Sequence, residues 1–393
     1  MPGEASRFSL VQGGPTFRLL RWSHLSGGGL ELLKRRSLVI CAVAWLPLLV
    51  LSLLEGHAFG GGVRLPFLHD LEAHVRLLIA LPTLIVAEYV VHRLLPPVVG
   101  SFTERGLVRE GDLPRFHAAL GSAIRLRNSP AAEIVLYLLA LTVGQWLWRT
   151  QVAADTSSWY SLVRDGRAQL TAAGGWYAIV SIPLFQFVLL RWYFRFFVWY
   201  RFLWHVSRLD LRLIATHPDR AGGLAFVGRS TYFFGPVLFA QGALLAGLIE
   251  GRLLRGDAAQ AALSIKVEIA TFIAVFLVLL LGPLAMFTLR LMRCKREGLA
   301  AYGALASTYV EAFDQKWIRR HGAEPDELLG SGDIQSLADL GNSYSIVKEM
   351  HVFPFGWGEL AVLAGITAAP LVPLIFNVLS PDELISQFAK VFF

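Results

Sequence analysis

The sequence is poor in charged residues and in cysteine. Only 17% of its 393 residues are Asp, Glu, Lys or Arg, whereas 55% are hydrophobic. A soluble globular chain carries about 25% charged residues, so this composition excludes an ordinary soluble protein and favours an integral membrane protein. The two cysteines, Cys41 and Cys294, lie at places where no oxidised pair is expected. They imply neither a disulfide framework nor a metal site.

Recognisable catalytic and cofactor motifs are also missing. The sequence contains no GxxxxGK[ST] phosphate loop, no HExxH, no GxSxG and no CxxC. The sequence therefore gives no support for the enzyme classes that these motifs identify. We predict no catalytic residue and no metal ligand, and the sequence names no cofactor. A polytopic enzyme with catalytic residues dispersed over its loops stays open.

Seven apolar segments are long enough to cross a bilayer. A transmembrane helix needs about 20 mostly apolar residues, because its backbone polar groups must be paired within the helix. The predicted spans are 37–54, 77–95, 131–148, 175–192, 232–249, 267–287 and 360–379. The predicted fold class is therefore all-α, a polytopic membrane helix bundle with seven transmembrane helices and a cytoplasmic helical extension.

Lys and Arg are distributed unevenly between the two sides of the predicted bundle. The amino-terminal segment and the loops on its side of the membrane, together with Arg93 and Arg191 at the inner ends of two spans, contain 27 of the 36 basic residues. Basic loops are retained in the cytoplasm. The sequence thus predicts a multi-pass protein of the cell membrane, or inner membrane, with its amino terminus in the cytoplasm and its carboxyl terminus outside.

The spans divide the chain into segments. We predict a cytoplasmic amino-terminal segment (1–36), six spans with their loops (37–287), a cytoplasmic helical hairpin (288–359), the seventh span (360–379) and an extracytoplasmic tail (380–393). The hairpin is predicted from an apolar stripe spaced as on one helix face, formed by Tyr302, Leu305, Tyr309, Phe313 and Trp317. Its second helix is predicted to begin near Asp333, a suitable N-cap.

Small residues recur at four-residue spacing in two of the spans. Ala361, Gly365 and Ala369 lie in the seventh span, and Gly247 and Gly251 at the outer end of the fifth. Such residues let helix backbones approach closely. They predict tight helix packing within one chain or between subunits, which leaves a homo-oligomer possible.

Polar residues inside the predicted spans form a candidate site. Counting 1.5 Å per residue from the span ends places Glu88, Gln186 and Gln241 near the bilayer midplane. An ionisable group there costs about 2.5–3.5 kcal/mol and needs a partner or a polar cavity. His92 lies one helical turn from Glu88, and Arg191 is expected within reach of both. This intramembrane polar layer is predicted to be either a buried ion pair or the lining of an ion or proton pathway.

The fourth span continues into a segment in which aromatic and basic residues alternate. On a helix, one arc of about 140° carries a basic interfacial face that includes Arg195, Arg201, His205, Arg208 and Arg212. At the cytoplasmic interface each nearby Arg gains about 1 kcal/mol from anionic lipid. The predicted partners are therefore the lipid bilayer and its anionic lipids, not nucleic acid. A ring of such faces around a pore mouth is the alternative.

A cytoplasmic turn is predicted before the fifth span, at His217, Asp219, Arg220, Gly222 and Gly223. Pro218 disfavours a helix at His217, and Asp219 can cap the following turn. Paired glycines allow a sharp bend or the close approach of an anion to the backbone. A structural turn is the favoured interpretation, because His217 and Asp219 alone complete neither a metal site nor an acid–base pair.

These features favour membrane transport, as a channel or transporter, because of the polar layer. A membrane sensor, scaffold or assembly factor is a second possibility, indicated by the basic aromatic helix and the hairpin. A polytopic lipid-modifying or envelope-modifying enzyme is the third. The sequence identifies neither a substrate nor an ion.

A reporter fused after Phe393 tests the predicted topology. We expect a periplasmic phosphatase at this position to be active, because the distribution of basic residues places the carboxyl terminus outside. Green fluorescent protein at the same position should be dark, since it is exported unfolded. The opposite pattern would contradict a seven-helix protein with a cytoplasmic amino terminus.

Overall fold

The computed structural model describes residues 8–23, 32–146, 157–164, 167–254, 262–319 and 332–374. These ranges contain ten helices of eight or more residues. They are α1 (Pro15–Trp22), α2 (Leu33–Leu54), α3 (Leu71–Glu104), α4 (Leu113–Arg127), α5 (Pro130–Gly144), α6 (Ala172–Ser207), α7 (Ala225–Leu253), α8 (Ile265–Ile318), α9 (Gly332–Glu349) and α10 (Trp357–Leu374). Strands β1 (Ser161–Arg164) and β2 (Arg167–Leu170) form an antiparallel pair in which Ser161 lies opposite Leu170.

The protein is an all-α polytopic membrane helix bundle, as predicted. Six of the described helices are long and apolar enough to cross a membrane: α2, α3, α6, α7, α8 and α10. The remaining predicted span, 131–148, corresponds to α5, which is a shorter apolar helix. Glu133 in α5 and Gln145 just after it nevertheless contact residues of α6 that are far apart. Glu133 lies 4.0 Å from Arg191 and Gln145 donates to the carbonyl oxygen of Ala178, which is about 20 Å farther along α6.

Capping side chains explain where two of the spans begin. Asp70 accepts a hydrogen bond from the Ala73 N–H at 3.0 Å, so α3 begins at Leu71, six residues before the predicted span. Thr171 caps α6 in the same way through the Gly174 N–H at 2.9 Å. Such caps satisfy backbone donors that have no partner inside the helix. They lengthen both helices beyond their apolar cores.

The helix ends define two ends of the bundle. At one of them, Val108 after α3 pairs with Leu211 after α6, and the Arg290 guanidinium of α8 donates to the carbonyl oxygen of Ser207 at 2.7 Å. We call this the basic end. At the far end, the Ala172 N–H of α6 donates to the Glu55 carboxylate after α2 at 2.7 Å.

The last part of α8 packs against helix α9 in the region of the predicted hairpin, while the connection between them, 320–331, lies outside the described residues. The Asp333 carboxylate accepts hydrogen bonds from Lys316 at 2.6 Å and from the Trp317 indole at 3.0 Å, and the Tyr309 hydroxyl donates to the Asp333 carbonyl oxygen at 3.1 Å. Asp333 thus joins the two helices, whereas the sequence predicted only a cap. Leu305, from the predicted stripe, is 55% exposed.

Glycines allow close helix contacts within the chain. A Cβ atom at Gly242 of α7 would lie 2.0 Å from the carbonyl oxygen of Thr367 in α10, and one at Gly247 would lie 3.2 Å from Val75 of α3. A Cβ atom at Gly365 would meet nothing within 4 Å among the described residues. The predicted close packing therefore holds for Gly247 inside one chain, while a contact between subunits at Gly365 stays a prediction.

Gly242→Ala is expected to lower the free energy of unfolding by roughly 1–3 kcal/mol, because α7 and α10 must separate to admit the methyl group. Gly365→Ala is the matched control on α10 and should be neutral or slightly stabilising. Thermal unfolding of both purified variants in one detergent measures the difference. Equal midpoints would contradict the α7–α10 contact.

Candidate functional site

The central feature is the Glu88 carboxylate of α3, which is paired with guanidinium groups from two other helices. Arg36 of α2 donates to Oε2 of Glu88, and Arg195 of α6 donates to Oε1 at 2.7 Å. Arg191, one turn before Arg195, lies 4.0 Å from Oε1. All four residues are buried. We call these residues, with Arg127 and Glu133, the guanidinium cluster.

The structure places the central ion pair along the two helices that carry it. Arg36 is in the first turn of α2, about 27 Å from Leu54 at the far end of the helix. Glu88 lies near the middle of α3, about 25 Å from Leu71 at its start and about 24 Å from Glu104 at its end. The observed α3 begins six residues before the predicted span, which started at position 77. The midplane depth of Glu88 in the bilayer stays a prediction.

Glu133 connects the cluster to helix α1. Its Oε2 accepts hydrogen bonds from the N–H and the hydroxyl of Thr16, both at 2.7 Å, while its Oε1 lies 4.0 Å from Arg191. A carboxylate is stabilised beside the free N–H groups of a helix N-terminus. Glu133 therefore holds the start of α1 against the bundle and leaves Arg191 only a distant contact.

His92 is not part of the cluster, although it lies one turn from Glu88. Its ring nitrogens face Ser9 at 2.9 Å and Gln12 at 3.1 Å. Arg127, at the end of α4, donates to the carbonyl oxygen of Ser9. These contacts fix the amino-terminal segment across the basic end. Phe8, from the same segment, is buried and stacks on Phe202 of α6 with ring centroids 5.8 Å apart.

A narrow cleft opens beside the cluster. Leu10, Val11 and Gly13 form part of its wall, and its volume of about 10 Å³ has room for about one water molecule. Arg127, Arg191 and Arg195 provide its cationic groups. Arg195 is only 4% exposed, and its Nη1 is buried with no hydrogen-bond partner among the described residues. Buried donors are nearly always paired in proteins. The unpaired hydrogen-bond donor that faces the cleft therefore belongs to a cationic group, the Arg195 guanidinium.

The cluster contains more positive than negative charge. Its four guanidinium groups belong to Arg36, Arg127, Arg191 and Arg195, and its two carboxylates to Glu88 and Glu133. Burial lowers the pKa of Arg127 to about 10, which leaves it protonated at neutral pH. Two positive charges therefore have no carboxylate to balance them within the cluster. This surplus attracts anions and repels cations.

The two glutamines of the predicted polar layer lie apart from the carboxylate. A Cβ atom at Gly144 of α5 would lie 2.0 Å from the side-chain oxygen of Gln186, which has no hydrogen-bond partner among the described residues. Gln241 of α7 lies beside Tyr193 of α6, and its side-chain nitrogen is buried with no hydrogen-bond partner among the described residues. The structure thus brings Glu88 and Arg191 together, while His92, Gln186 and Gln241 each have other neighbours.

The predicted basic face does not form one continuous surface. Arg195 is buried in the cluster, and Arg201 donates to the Ser122 hydroxyl of α4 at 2.9 Å. His205 contacts the Arg201 carbonyl oxygen at 2.7 Å, and the Arg208 guanidinium lies over the Trp204 ring. Helix α6 ends at Ser207, so Arg212 lies in the following segment. The helical arc predicted from the sequence assumed that α6 continued to Arg212.

The His217–Gly223 segment forms a hydrogen-bonded turn. Asp219 accepts from the N–H groups of Ala221 at 2.9 Å, Gly223 at 3.0 Å and Ala225 at 3.1 Å. Burial raises the pKa of Asp219, but these hydrogen bonds outweigh it and hold the pKa below its usual range. Arg220, Gly222 and Gly223 all have positive φ. These contacts favour the structural interpretation.

Three members of the cluster were not predicted from the sequence: Arg36, Arg127 and Glu133. Arg36 and Glu133 each lie in the first turn of an apolar helix, where a charged residue is common and does not indicate a site. They can be recognised as site residues only when the structure shows which residues of other helices they contact. Comparisons of the chain with known protein families, curated proteins and solved structures find no match.

Glu88→Gln is expected to lower the free energy of unfolding by roughly 3–5 kcal/mol, because it leaves buried guanidinium groups without their carboxylate. Adding Arg36→Gln should restore part of the loss. Glu104→Gln, an exposed position on the same helix, is the control and should change stability by no more than about 0.5 kcal/mol. Thermal unfolding in one detergent compares the variants. A Glu88→Gln midpoint equal to the control would show that the pairing is not stabilising.

Proposed function

We propose that this protein is a membrane channel or transporter for small anions and that the cleft beside the guanidinium cluster is its anion site. The observation that carries the proposal is the buried Nη1 of Arg195, a donor with no partner among the described residues. Arg127 and Arg191 line the same cleft. An anion supplies the missing acceptor and balances the surplus positive charge.

The pairing of Glu88 argues against the cation or proton pathway that its depth first indicated. Both carboxylate oxygens are occupied by guanidinium groups, from Arg36 and Arg195. A carboxylate held in this way has little capacity to bind a passing cation. Its role in the proposal is to hold the arginines in place and to leave part of their charge uncompensated.

The amino-terminal segment determines how the cleft is reached. Leu10, Val11 and Gly13 of this segment line the cleft. Glu133 and Arg127 hold the segment at Thr16 and Ser9. With the basic end in the cytoplasm of a cell membrane, as the distribution of Lys and Arg favours, anions reach the cluster from the cytoplasm past this segment. Movement of the segment then changes access to the site.

A scaffold, sensor or assembly factor is the second candidate. The hairpin of α8 and α9 carries exposed apolar side chains, among them Leu305 at 55% and Ile334 at 50% exposure. Such side chains suit contact with another protein. On this alternative the guanidinium cluster only joins α2, α3 and α6, and the protein passes no ion.

Halide flux into liposomes separates the two candidates. We expect purified protein to admit iodide, detected by quenching of an entrapped halide-sensitive fluorophore, and to admit no potassium. Arg191→Gln should slow iodide entry about tenfold, the effect of roughly 1.4 kcal/mol. This variant is suitable because Arg191 makes only 4.0 Å contacts with Glu88 and Glu133, and each carboxylate keeps closer partners.

The matched control is Arg125→Gln, an exposed arginine on α4 outside the cleft, which should leave iodide entry unchanged. Thermal unfolding confirms that both variants are folded. Iodide entry no faster than in empty liposomes would favour the scaffold. Entry that Arg191→Gln does not slow would reject the cleft as the anion site, and potassium entry would reject selectivity for anions.

A further inference from the structure

A second group of basic side chains, two arginines and a histidine, lies at the basic end, outside the guanidinium cluster. Arg105 follows α3, Arg212 follows α6 and His217 begins the turn, and together they line a cavity of about 230 Å³. Both arginines are exposed, and the His217 side chain is 33% exposed. The proposed anion function uses none of these three residues.

Backbone hydrogen bonds between three chain segments form the wall of this cavity. The Arg212 N–H donates to the Leu107 carbonyl oxygen at 2.8 Å, and the Ile214 N–H donates to the Gly222 carbonyl oxygen at 3.3 Å. A Cβ atom at Gly223 would lie 3.2 Å from Leu107. The turn therefore packs against the end of α3, and its hydrogen bonds fix the shape of the wall before any ligand binds.

The charge of the wall is positive. Among the residues that the structure describes, no Asp or Glu lines this cavity. Asp219 is adjacent and contacts His217 at 2.8 Å, but its oxygens also accept the N–H groups of Ala221, Gly223 and Ala225. The Arg105 guanidinium lies over the Phe226 ring, 5.1 Å from its centre. Asp219 thus has its partners at His217 and within the turn, and it leaves both arginines available.

We propose that this cavity binds a phosphate group, carried either by free phosphate or by the headgroup of an anionic lipid. Guanidinium groups match phosphate oxygens with paired hydrogen bonds. A water molecule takes about 30 Å³ in the liquid, so the cavity has room for a phosphate group with part of its hydration. Its position after α3 and α6 puts it where two membrane helices leave the bilayer, within reach of headgroups and of solvent.

The test uses the full chain in phosphatidylcholine nanodiscs. In the first arm, inorganic phosphate is titrated and its binding heat is measured. In the second arm, the nanodiscs contain phosphatidic acid, and native mass spectrometry counts the lipids that stay bound after release of the protein. Each arm compares the wild type with Arg105→Gln/Arg212→Gln and with the control Arg125→Gln/Arg296→Gln, which replaces two exposed arginines away from this cavity.

We expect binding in at least one arm, with a loss of about tenfold or more in the cavity variant, because this variant removes two charged donors for the phosphate oxygens. The control should stay within about twofold of the wild type. Binding in the first arm alone identifies free phosphate, and binding in the second identifies a lipid headgroup. Wild-type protein that binds in neither arm, or a cavity variant that binds like the control, overturns the proposal.

His217→Gln provides a variant that keeps both arginines and should weaken binding less than the double substitution. It keeps the test decisive if the double variant does not fold. Unchanged binding in His217→Gln would remove the histidine from the site, and unchanged binding in every folded variant would reject the site. Iodide flux is measured separately, so its loss or persistence leaves the phosphate result independent of the proposed anion transport.

Discussion

The structure depends on one buried carboxylate that is paired with guanidinium groups on two neighbouring helices. Glu88 of α3 receives Arg36 from α2 and Arg195 from α6. Within a bilayer the hydrophobic effect gives little preference for helix contact over lipid contact, so polar pairs and close packing set which helices meet. A single register satisfies both pairs, and that register fixes the relative heights of the three helices.

The same constraint explains why the amino-terminal segment lies where it does. Arg127 and Glu133 belong to the charged environment of Glu88, and each also holds part of this segment, at Ser9 and Thr16. These contacts hold the amino-terminal segment, which precedes the first apolar span, against the basic end of the bundle. This covering leaves a cleft beside Arg195, and one guanidinium nitrogen there has no acceptor among the residues that the structure describes.

The basic end contains two cationic sites of different kinds. In the guanidinium cluster three of the four arginines are buried, Arg127 is half-buried, and their spacing is set by carboxylates, which suits a small anion that has lost part of its hydration. Around the 230 Å³ cavity the arginines are exposed and their backbone is fixed by the Asp219 turn, which suits a larger, hydrated phosphate group. The basic residues that are in excess on one side of the predicted bundle thus occur in two separate structural environments.

The sequence by itself determined the membrane class, the all-α fold and the position of each apolar helix, because burial in lipid imposes length and composition locally. It also determined that Glu88 needs a partner and that Arg191 lies near it. Only the tertiary structure decided that Arg36 and Arg195 are the closer partners, and that His92, Gln186 and Gln241 lie elsewhere.

The reason is physical. A membrane helix can be predicted from the composition of neighbouring residues alone. The two ion pairs of Glu88, in contrast, join residues that are 52 and 107 positions apart. Which charges meet depends on how helices rotate and slide against one another. That choice rests on contacts such as Gly242 against Thr367 and on caps such as Asp70, which shift a helix end by several residues. The closest partners of Glu88 therefore could not be read from the sequence, and only the assembled bundle identified them.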